Sequence, residues 1–243
     1  PSERHAIRFR HLNYLFKQDQ AFNSGFDIAA QRWDRPNETW TTNWTWTLSP
    51  TTINELQASV SVDRVRIDVN RDNGKFARGQ YGINYPYIFP ERKEIADKVP
   101  TIGIANFATV DGSPYPSKSA GPIYVLADSI TKIMGNHTLK AGVSYEYAGQ
   151  NDFDQINVQG VPGGTNNQNG RFVFTDSRAG AATSGLAVAN AALGLFDTYA
   201  EIGPRSYTPY RGQQFEWFVQ DSWKATSKLR VEYGIRHTLM TPF

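Results

Sequence analysis

The 243-residue sequence contains no cysteine, which excludes disulfide frameworks, cysteine metal sites and thiol catalysis together. Long apolar runs are missing as well. The longest, Gly185–Phe196, is shorter than the ~20 residues that a membrane-spanning helix needs. An excess of one charge is also missing, because 25 basic residues stand beside 23 acidic ones. The basic residues are scattered singly rather than clustered, so we expect no nucleic-acid partner.

The chain ends show no processing signal. The first residues, "PSERHAIRFR", lack an initiator methionine, an apolar segment and a small-residue cleavage motif, so no targeting segment is predicted. The last residues, "HTLMTPF", break off within a strand-like pattern. We therefore expect residues 1–243 to be one partial domain of a longer protein.

The residues that are abundant favour β-structure. The chain has 20 Gly, 12 Tyr, 14 Phe and 6 Trp, apolar residues often alternate with polar ones, and a 3.6-residue period is nearly missing. We predict an all-β fold in which a strand around residues 5–17 precedes three hairpins.

In the first predicted hairpin, every second residue from Trp40 to Leu48 is apolar except Thr42, and every second residue from Leu56 to Val62 is apolar and returns on the same face. Residues 49–53 form its turn. Residues 65–69 continue out of phase with the returning strand. This break indicates either a bulge near Asp63 or the end of the buried band.

The second hairpin allows two phases for its outgoing strand. We choose the phase that puts the odd-numbered residues 123–133 on the apolar face, because it keeps Asp128 and Lys132 off that face. This choice requires a three-residue turn at residues 135–137. The apolar face of the returning strand runs from residue 139 to residue 147.

The third hairpin covers residues 213–239 and has apolar side chains on one face of both strands. We predict a five-residue turn at residues 224–228. That register places Glu216 opposite Arg236. It also puts Phe218 beside Gly234, where the ring would cover the strand glycine.

The connections between these strands alternate strictly between short and long. The turns are short, whereas the linkers at about residues 18–37, 70–121 and 150–207 are long, polar and rich in Gly, Pro and Asn. In an antiparallel up-and-down meander, all tight turns then lie at one end and all long loops at the other. Transmembrane β-barrels have this plan, with short periplasmic turns and long extracellular loops. The predicted strands also reach the ~9–11 residues that a tilted membrane strand needs.

The two faces of the predicted strands differ in chemistry. Trp and Tyr bury a ring and keep one polar group hydrated, which suits a membrane interface. The predicted membrane-facing aromatic residues are Trp40, Trp44, Trp46, Tyr145, Tyr147, Trp217, Trp223 and Tyr233. The predicted lumen-facing polar residues are Lys140, Glu146, Glu216, Arg230, Glu232 and Arg236. A half-buried sheet in a soluble protein shows the same alternation, so periodicity alone leaves both interpretations open.

The third hairpin resembles the barrel signature of TonB-dependent outer-membrane receptors. In that family an aromatic strand ends in Q-D-x-W, a short turn follows, and the next strand reads L-x-x-x-x-G-x-R. The matching positions here are Gln220, Asp221, Trp223, Leu229, Gly234 and Arg236. The family's G-x-H-x-L-K-x-G strand opening is similar to Gly135, His137, Leu139, Lys140 and Gly142. "WTLSPTTINEL" and "ANAALGLF" resemble segments of its Oar-like branch, so the likeness extends over most of the chain from Trp40 onward.

The resemblance implies a barrel of about 22 strands, of which this chain would supply about seven, around an N-terminal plug. No plug, energy-coupling box or N-terminal β-sandwich is recognisable in these residues. The resemblance also implies the bacterial outer membrane, with outer-membrane lipid, the plug and TonB as partners. The expected function is TonB-energised uptake of an extracellular ligand such as a siderophore or a carbohydrate. A porin-like passive channel and a soluble all-β glycan-binding module remain alternatives.

No sequence pattern predicts catalysis, so we expect no enzyme activity, catalytic residue, metal or cofactor. The four histidines lack metal-ligand spacing, and packing at an interface or turn is their expected role. Asp152 and Asp154 lie in a polar segment without the EF-hand pattern, for which we expect a solvated loop. The carboxylates on the strands alternate with basic residues, which indicates charge balance rather than a glycosidase pair. Residues 176–205 are apolar and Ala-rich, and we expect them to fold back over the barrel mouth.

Overall fold

The computed structural model describes residues 3–20, 26–72, 74–153, 165–178 and 180–241. The described residues form eleven strands in two sheets, one short helix and one 3-10 turn. The strands are β1 (His5–Gln20), β2 (Gln31–Ser49), β3 (Thr52–Val69), β4 (Thr101–Ile104), β5 (Ala108–Val110), β6 (Ser117–Met134), β7 (His137–Asp152), β8 (Arg171–Phe174), β9 (Thr198–Ala200), β10 (Thr208–Lys224) and β11 (Arg230–Met240). The 3-10 turn is Arg78–Tyr81, and helix α1 is Ala187–Ala192. Among the described residues, no helix has the length and apolarity for a bilayer crossing.

The larger sheet is an antiparallel meander in the order β1-β2-β3-β6-β7-β10-β11. Tight turns join β2 to β3, β6 to β7 and β10 to β11, all at one end of the sheet. The longer connections, from β1 to β2, from β3 to β6 and from β7 to β10, leave and re-enter the large sheet at its other end. The predicted alternation of short and long connections, and the all-β meander that it implies, are therefore confirmed.

The first hairpin has the predicted faces and a tighter turn. Trp44 pairs directly with Leu56, and direct cross-strand partners share one face of a sheet. Only residues 50–51 separate β2 from β3, and the register shifts between Thr47 and Ser49. The turn is shorter than the predicted residues 49–53 because both strands continue further into it.

Of the two alternatives for residues 63–69, the predicted bulge near Asp63 is wrong. Strand β3 pairs with β6 in one continuous register from Thr52 to Ile67, so the described strand is regular there. Ile67 and Val69 are buried, on the face opposite to Leu56. The change of phase therefore marks the end of the apolar band, as the other alternative stated.

The predicted phase of the second hairpin is wrong. Met134 pairs with His137, so the turn contains two residues rather than three, and Leu126 pairs with Tyr145. The even-numbered residues of β6 therefore share a face with the apolar side of β7. Asp128 lies on that face, where the side-chain amide of Asn54 donates a 2.8 Å hydrogen bond to it. This bond offsets the cost of a carboxylate among apolar neighbours, which is why the sequence tolerates it.

The third hairpin has the predicted faces but a register shifted by two residues. Glu216 pairs with Thr238, and Arg236 pairs with Phe218, because the five-residue turn is 225–229. A shift of two residues keeps every side chain on its face. Phe218 covers Gly142 of β7 instead of Gly234. A Cβ at Gly142 would lie 2.6 Å from the Phe218 ring.

The polar face of the large sheet is concave. A hollow on this face extends over six strands, from Asn43 on β2 to Arg236 on β11. The Lys140 ammonium lies 3.7 Å from the Glu55 carboxylate, although β6 separates their strands. Side chains reach across an intervening strand when the sheet curves toward them. We call this polar face the inner face, and the opposite face, which carries Trp44 and Trp217, the outer face.

The outer face carries an apolar band in the half of each strand nearest the tight turns. On β3 the outer-face residues are apolar from Leu56 to Val62 and then change to Arg64, Arg66 and Asp68. On β2 the change occurs between Trp40 and Glu38. On β2 the band from Trp40 to Leu48 covers nine residues, which matches the ~9–11 residues of a tilted membrane strand. Six of the seven strands are 16–19 residues long, so they continue well beyond it.

The described residues of the two longest connections, 74–116 and 165–207, form a separate folded layer that we call the loop unit. Its sheet has the order β5-β4-β8-β9, with β4 and β8 parallel. Helix α1 packs against β8 and β4. Residues 176–205 thus contribute α1 and β9 to this layer, at the long-loop end of the large sheet.

Candidate functional site

The eight predicted membrane-facing aromatic residues all lie on the outer face. The register shows this directly, since Trp44, Leu56, Asp128, Val143, Trp217 and His237 are successive cross-strand partners from β2 to β11. Trp40, Trp46, Tyr145, Tyr147, Trp223 and Tyr233 lie on the same face of their strands. Contact of these rings with lipid stays a prediction.

The six predicted lumen-facing residues share the inner face. Glu216 accepts hydrogen bonds from Gln214 and Thr238 and lies 3.5 Å from the Arg236 guanidinium. Arg236 also lies over the Phe218 ring at 5.2 Å. Together with the Lys140–Glu55 pair, Glu146, Arg230 and Glu232 complete a surface of both charges. Such a surface can hydrogen-bond water or a polar partner inside a barrel, and that role also stays a prediction.

Every histidine lies directly opposite a tryptophan on the outer face, a feature that the sequence did not reveal. The pairs are His5 with Trp46, His11 with Trp40, His137 with Trp223, and His237 with Trp217. Their ring centroids lie 5.2–5.9 Å apart, and all four pairs are stacked. The described residues contain no group of three side chains that could hold a metal ion. These histidines therefore act as aromatic partners at the strand surface.

Asp221, from the Q-D-x-W signature, links three strands near the tight turns. Its Oδ2 accepts a 2.8 Å hydrogen bond from the Tyr233 hydroxyl and lies 2.6 Å from Nδ1 of His137. The Asp221 side chain is buried, whereas the His137 side chain is 41 % exposed. The carboxylate thus joins β7, β10 and β11 and fixes their register, which gives this signature residue a physical role.

The core of the loop unit is an ion pair between its two segments. The ammonium of Lys93 lies 2.6 Å from Oε1 of Glu201, and the side chains are only 1 % and 0 % exposed. Glu201 also accepts hydrogen bonds from the Tyr199 hydroxyl at 2.5 Å and from the backbone N–H groups of Ile88 and Phe89 at 3.1 and 3.0 Å. A buried carboxylate with four donors holds both segments together.

The Asn-rich segment at residues 165–169, in the connection from β7 to β10, is buried. Asn167 and Asn169 are each 1 % exposed. The Asn169 amide donates to the Ile95 carbonyl and to the Tyr87 hydroxyl, both at 2.8 Å. Lys98, which follows Ile95 by three residues, is also buried, and its ammonium donates to the Ser113 carbonyl. Burial, and then the charge of Arg205, hold the pKa of Lys98 well below its usual range.

The possible calcium site at Asp152 and Asp154 has no support among the described residues. Asp152 is buried at the end of β7 and accepts a 2.7 Å hydrogen bond from Gln150. Its environment is therefore not the solvated loop that we expected. Asp154 lies outside the described residues.

We expect the loop unit to weaken in acid. Burial raises the pKa of Glu201, but the hydrogen bonds from Lys93 and Tyr199 outweigh burial and hold it below its ordinary value of 4.5. Stability from this ionised group is fully present above pH 4.5 and is lost as the pH falls through the lower, folded-state pKa. Hydrogen exchange of the Ile88 and Phe89 amides, corrected for intrinsic rates, should accelerate below that value. The glutamine of a Glu201→Gln variant does not titrate. If exchange in this variant accelerated over the same pH range, protonation of Glu201 would not be the cause.

Comparisons with known proteins agree with this geometry. No curated protein matches the chain. Among solved structures, the chain is similar to the outer membrane transporter YddB from Escherichia coli, with a TM-score of 0.52 and 10 % sequence identity. That match covers 98 % of this chain and 26 % of the transporter chain, so this chain spans about a quarter of its length. The family model described as "Outer membrane beta barrel domain" matches residues 1–243. The chain therefore belongs to the family of outer membrane β-barrel domains, and its location is the bacterial outer membrane.

Proposed function

We propose that the chain is part of the barrel of a TonB-dependent receptor of the Oar-like branch, which takes up a large nutrient such as a siderophore or a carbohydrate. The concave inner face carries this proposal, because it is lined with charges of both signs and the folded loop unit lies at its extracellular end. A passive pore for small solutes does not require a loop unit with its own buried ion pair. The Q-D-x-W signature around Asp221 supports the same family.

Four partners follow from this proposal. A plug domain packs against the inner face, where Lys140, Glu216 and Arg236 offer hydrogen bonds, and TonB acts through that plug. Further strands pair with β1 and β11, whose edges are open in the seven-stranded sheet. Outer-membrane lipid covers the apolar band. We assign no catalytic residue and no cofactor to this chain, and the proposed role is not enzymatic.

Conductance distinguishes this proposal from a porin-like channel without knowledge of the ligand. We expect the full-length protein, reconstituted in a planar lipid bilayer, to show no steady current because the plug fills the barrel. A version without the proposed plug should conduct steadily. A full-length protein that conducts as an open pore would favour the passive channel.

Energy coupling requires a second measurement. Cells that express the full-length protein should accumulate a labelled ferric siderophore or oligosaccharide, and a protonophore should abolish the accumulation. Uptake that continues unchanged without the proton gradient would exclude TonB-driven transport. The soluble glycan-binding alternative has lost its support, because the family is one of outer membrane barrels.

A further inference from the structure

Basic residues follow directly after the apolar band on the outer face. On β3, Val62 is followed on this face by Arg64 and Arg66, and on β6 the outer-face residue at the same height is Lys118. On β10 the outer-face cation is Arg211, which by the register lies at the level of Val62, the last apolar residue of the band on β3. Polar headgroups lie immediately outside the hydrocarbon core of a bilayer. In the membrane orientation of the proposed receptor, on which this inference rests, the long connections lie outside the cell and these side chains lie at the height of the headgroups of the outer leaflet.

Three cationic side chains line a groove at this height. Arg66, Arg71 and Lys118 line it together with Asp68, Glu94 and the ring of Phe153. Arg66 pairs directly with Lys118 across β3 and β6. Like charges directly opposite each other destabilise a sheet, and the groove keeps one net positive charge. An anion bound between the two side chains would remove this repulsion.

The contacts of these cations inside the protein are weak. One nitrogen of Arg66 lies 4.0 Å from Asp34, and one nitrogen of Arg71 lies 3.4 Å from Asp68. The two guanidinium side chains are 71 % and 53 % exposed, and each has five N–H donors. The Lys118 ammonium lies over the Phe153 ring at 4.9 Å. Donors thus remain for a ligand with several acceptor oxygens.

We propose that this groove binds a phosphate group of a lipid headgroup in the outer leaflet. Arg66 donates two parallel hydrogen bonds to the phosphate oxygens, a geometry that guanidinium and phosphate share. Lys118 supplies a point charge from the adjacent strand, and Arg71 closes the groove from the loop side. The position favours a lipid over a soluble phosphate compound, because the apolar band below the groove accommodates acyl chains.

The test uses the full-length protein in detergent and diphosphoryl lipid A as the probe, with binding measured by native mass spectrometry. We expect the Arg66→Gln/Lys118→Gln variant to bind about 100-fold more weakly, since the loss of each of the two charged side chains corresponds to about tenfold in affinity. Dephosphorylated lipid A should bind the unmodified protein as weakly as the phosphorylated probe binds that variant.

The matched control is Lys224→Gln/Lys228→Gln, which removes the same charge at the opposite end of the sheet. It should leave the affinity unchanged. An equal loss in this control would overturn the proposal, because general electrostatic attraction would then explain binding. Competition by inorganic phosphate at the concentration of the lipid would overturn the lipid assignment. Unchanged affinity of a folded Arg66→Gln/Lys118→Gln variant would overturn the site itself.

Discussion

Replacing Glu201 with alanine is expected to unfold the loop unit while the large sheet stays folded. The substitution leaves the Lys93 ammonium buried without its carboxylate and removes the acceptor for two backbone N–H groups. Breaking a buried ion pair at one partner costs about 3–5 kcal/mol. Limited trypsin digestion of the full-length protein in detergent should therefore cleave within residues 74–116 and 165–207, and spare the strands of the barrel.

Two further variants make this test specific. Asp27→Ala removes an ion pair with Lys75 whose side chains are 43 % and 44 % exposed, and such exposed pairs contribute only about 0–1 kcal/mol. The Lys93→Met/Glu201→Leu double variant should regain part of the lost protection, because apolar residues can replace a buried pair. Equal protease resistance of Glu201→Ala and the unmodified protein would show that the pair does not hold the loop unit together.

Substituting Gly121 with alanine is expected to prevent most of the protein from assembling as a barrel. A Cβ at this position in β6 would lie 1.7 Å from the carbonyl oxygen of Gly149 in β7 and 2.6 Å from the Cα of Gln150. These are backbone atoms, so the two strands must separate. We expect a loss at or above the upper end of the ~1–3 kcal/mol typical of overpacking.

The neighbouring strand offers a matched control. A Cβ at Gly149 would meet nothing closer than 3.6 Å, which is ordinary contact. Gly149→Ala should therefore assemble normally. The folded fraction can be measured in membranes from the heat-dependent migration of the barrel on SDS gels. If the two variants show the same folded fraction, the close approach at Gly121 does not determine how β6 pairs with β7.

The sequence predicted most side-chain faces because only one phase fitted each pattern. On β2 the residues between Trp40, Trp44 and Trp46 are all polar, and on β10 Trp217 and Trp223 share one phase with other apolar residues, so Trp44 and Trp217 could be placed without the structure. Strand β6 offered two apolar phases, and avoiding Asp128 led to the wrong one. The Asn54 side chain that partners Asp128 is 74 residues away in sequence. A long-range hydrogen bond of this kind leaves no periodic pattern.

The register predicted for the third hairpin was wrong for a different reason. Pairing Glu216 with Arg236 or with Thr238 leaves the same side chains on the same faces, so periodicity cannot distinguish the two. The structure retains the predicted contact of Arg236 with Glu216 and adds one with Phe218. It contacts Glu216 diagonally at 3.5 Å and covers the ring of Phe218, its direct partner. The prediction was correct about the chemistry and wrong about the alignment.

The loop unit could not be predicted because its strands are short and its core is polar. Strand β4 has four residues and β5 has three, which is too short for a period to emerge. Asn167 and Asn169 belong to a linker that is polar and rich in Gly, Pro and Asn, yet both are buried, and Asn169 donates a hydrogen bond to the distant Ile95 carbonyl. Lys93 and Glu201 are 108 residues apart. A polar core depends on partners that are distant in the sequence, whereas the burial of an apolar strand is visible in the local alternation of its residues.

The main strands are long enough to raise one end of the barrel well above the surface of the lipid. Beyond the apolar band, about eight residues per strand continue outward, which at ~3.3 Å per residue and a tilt of ~35–45° gives a rim standing roughly 20 Å above the lipid. An antibody or a phage tail fibre would touch this raised rim before it reached the bilayer. Variation selected by such encounters can accumulate there without disturbing the segment that is anchored in lipid.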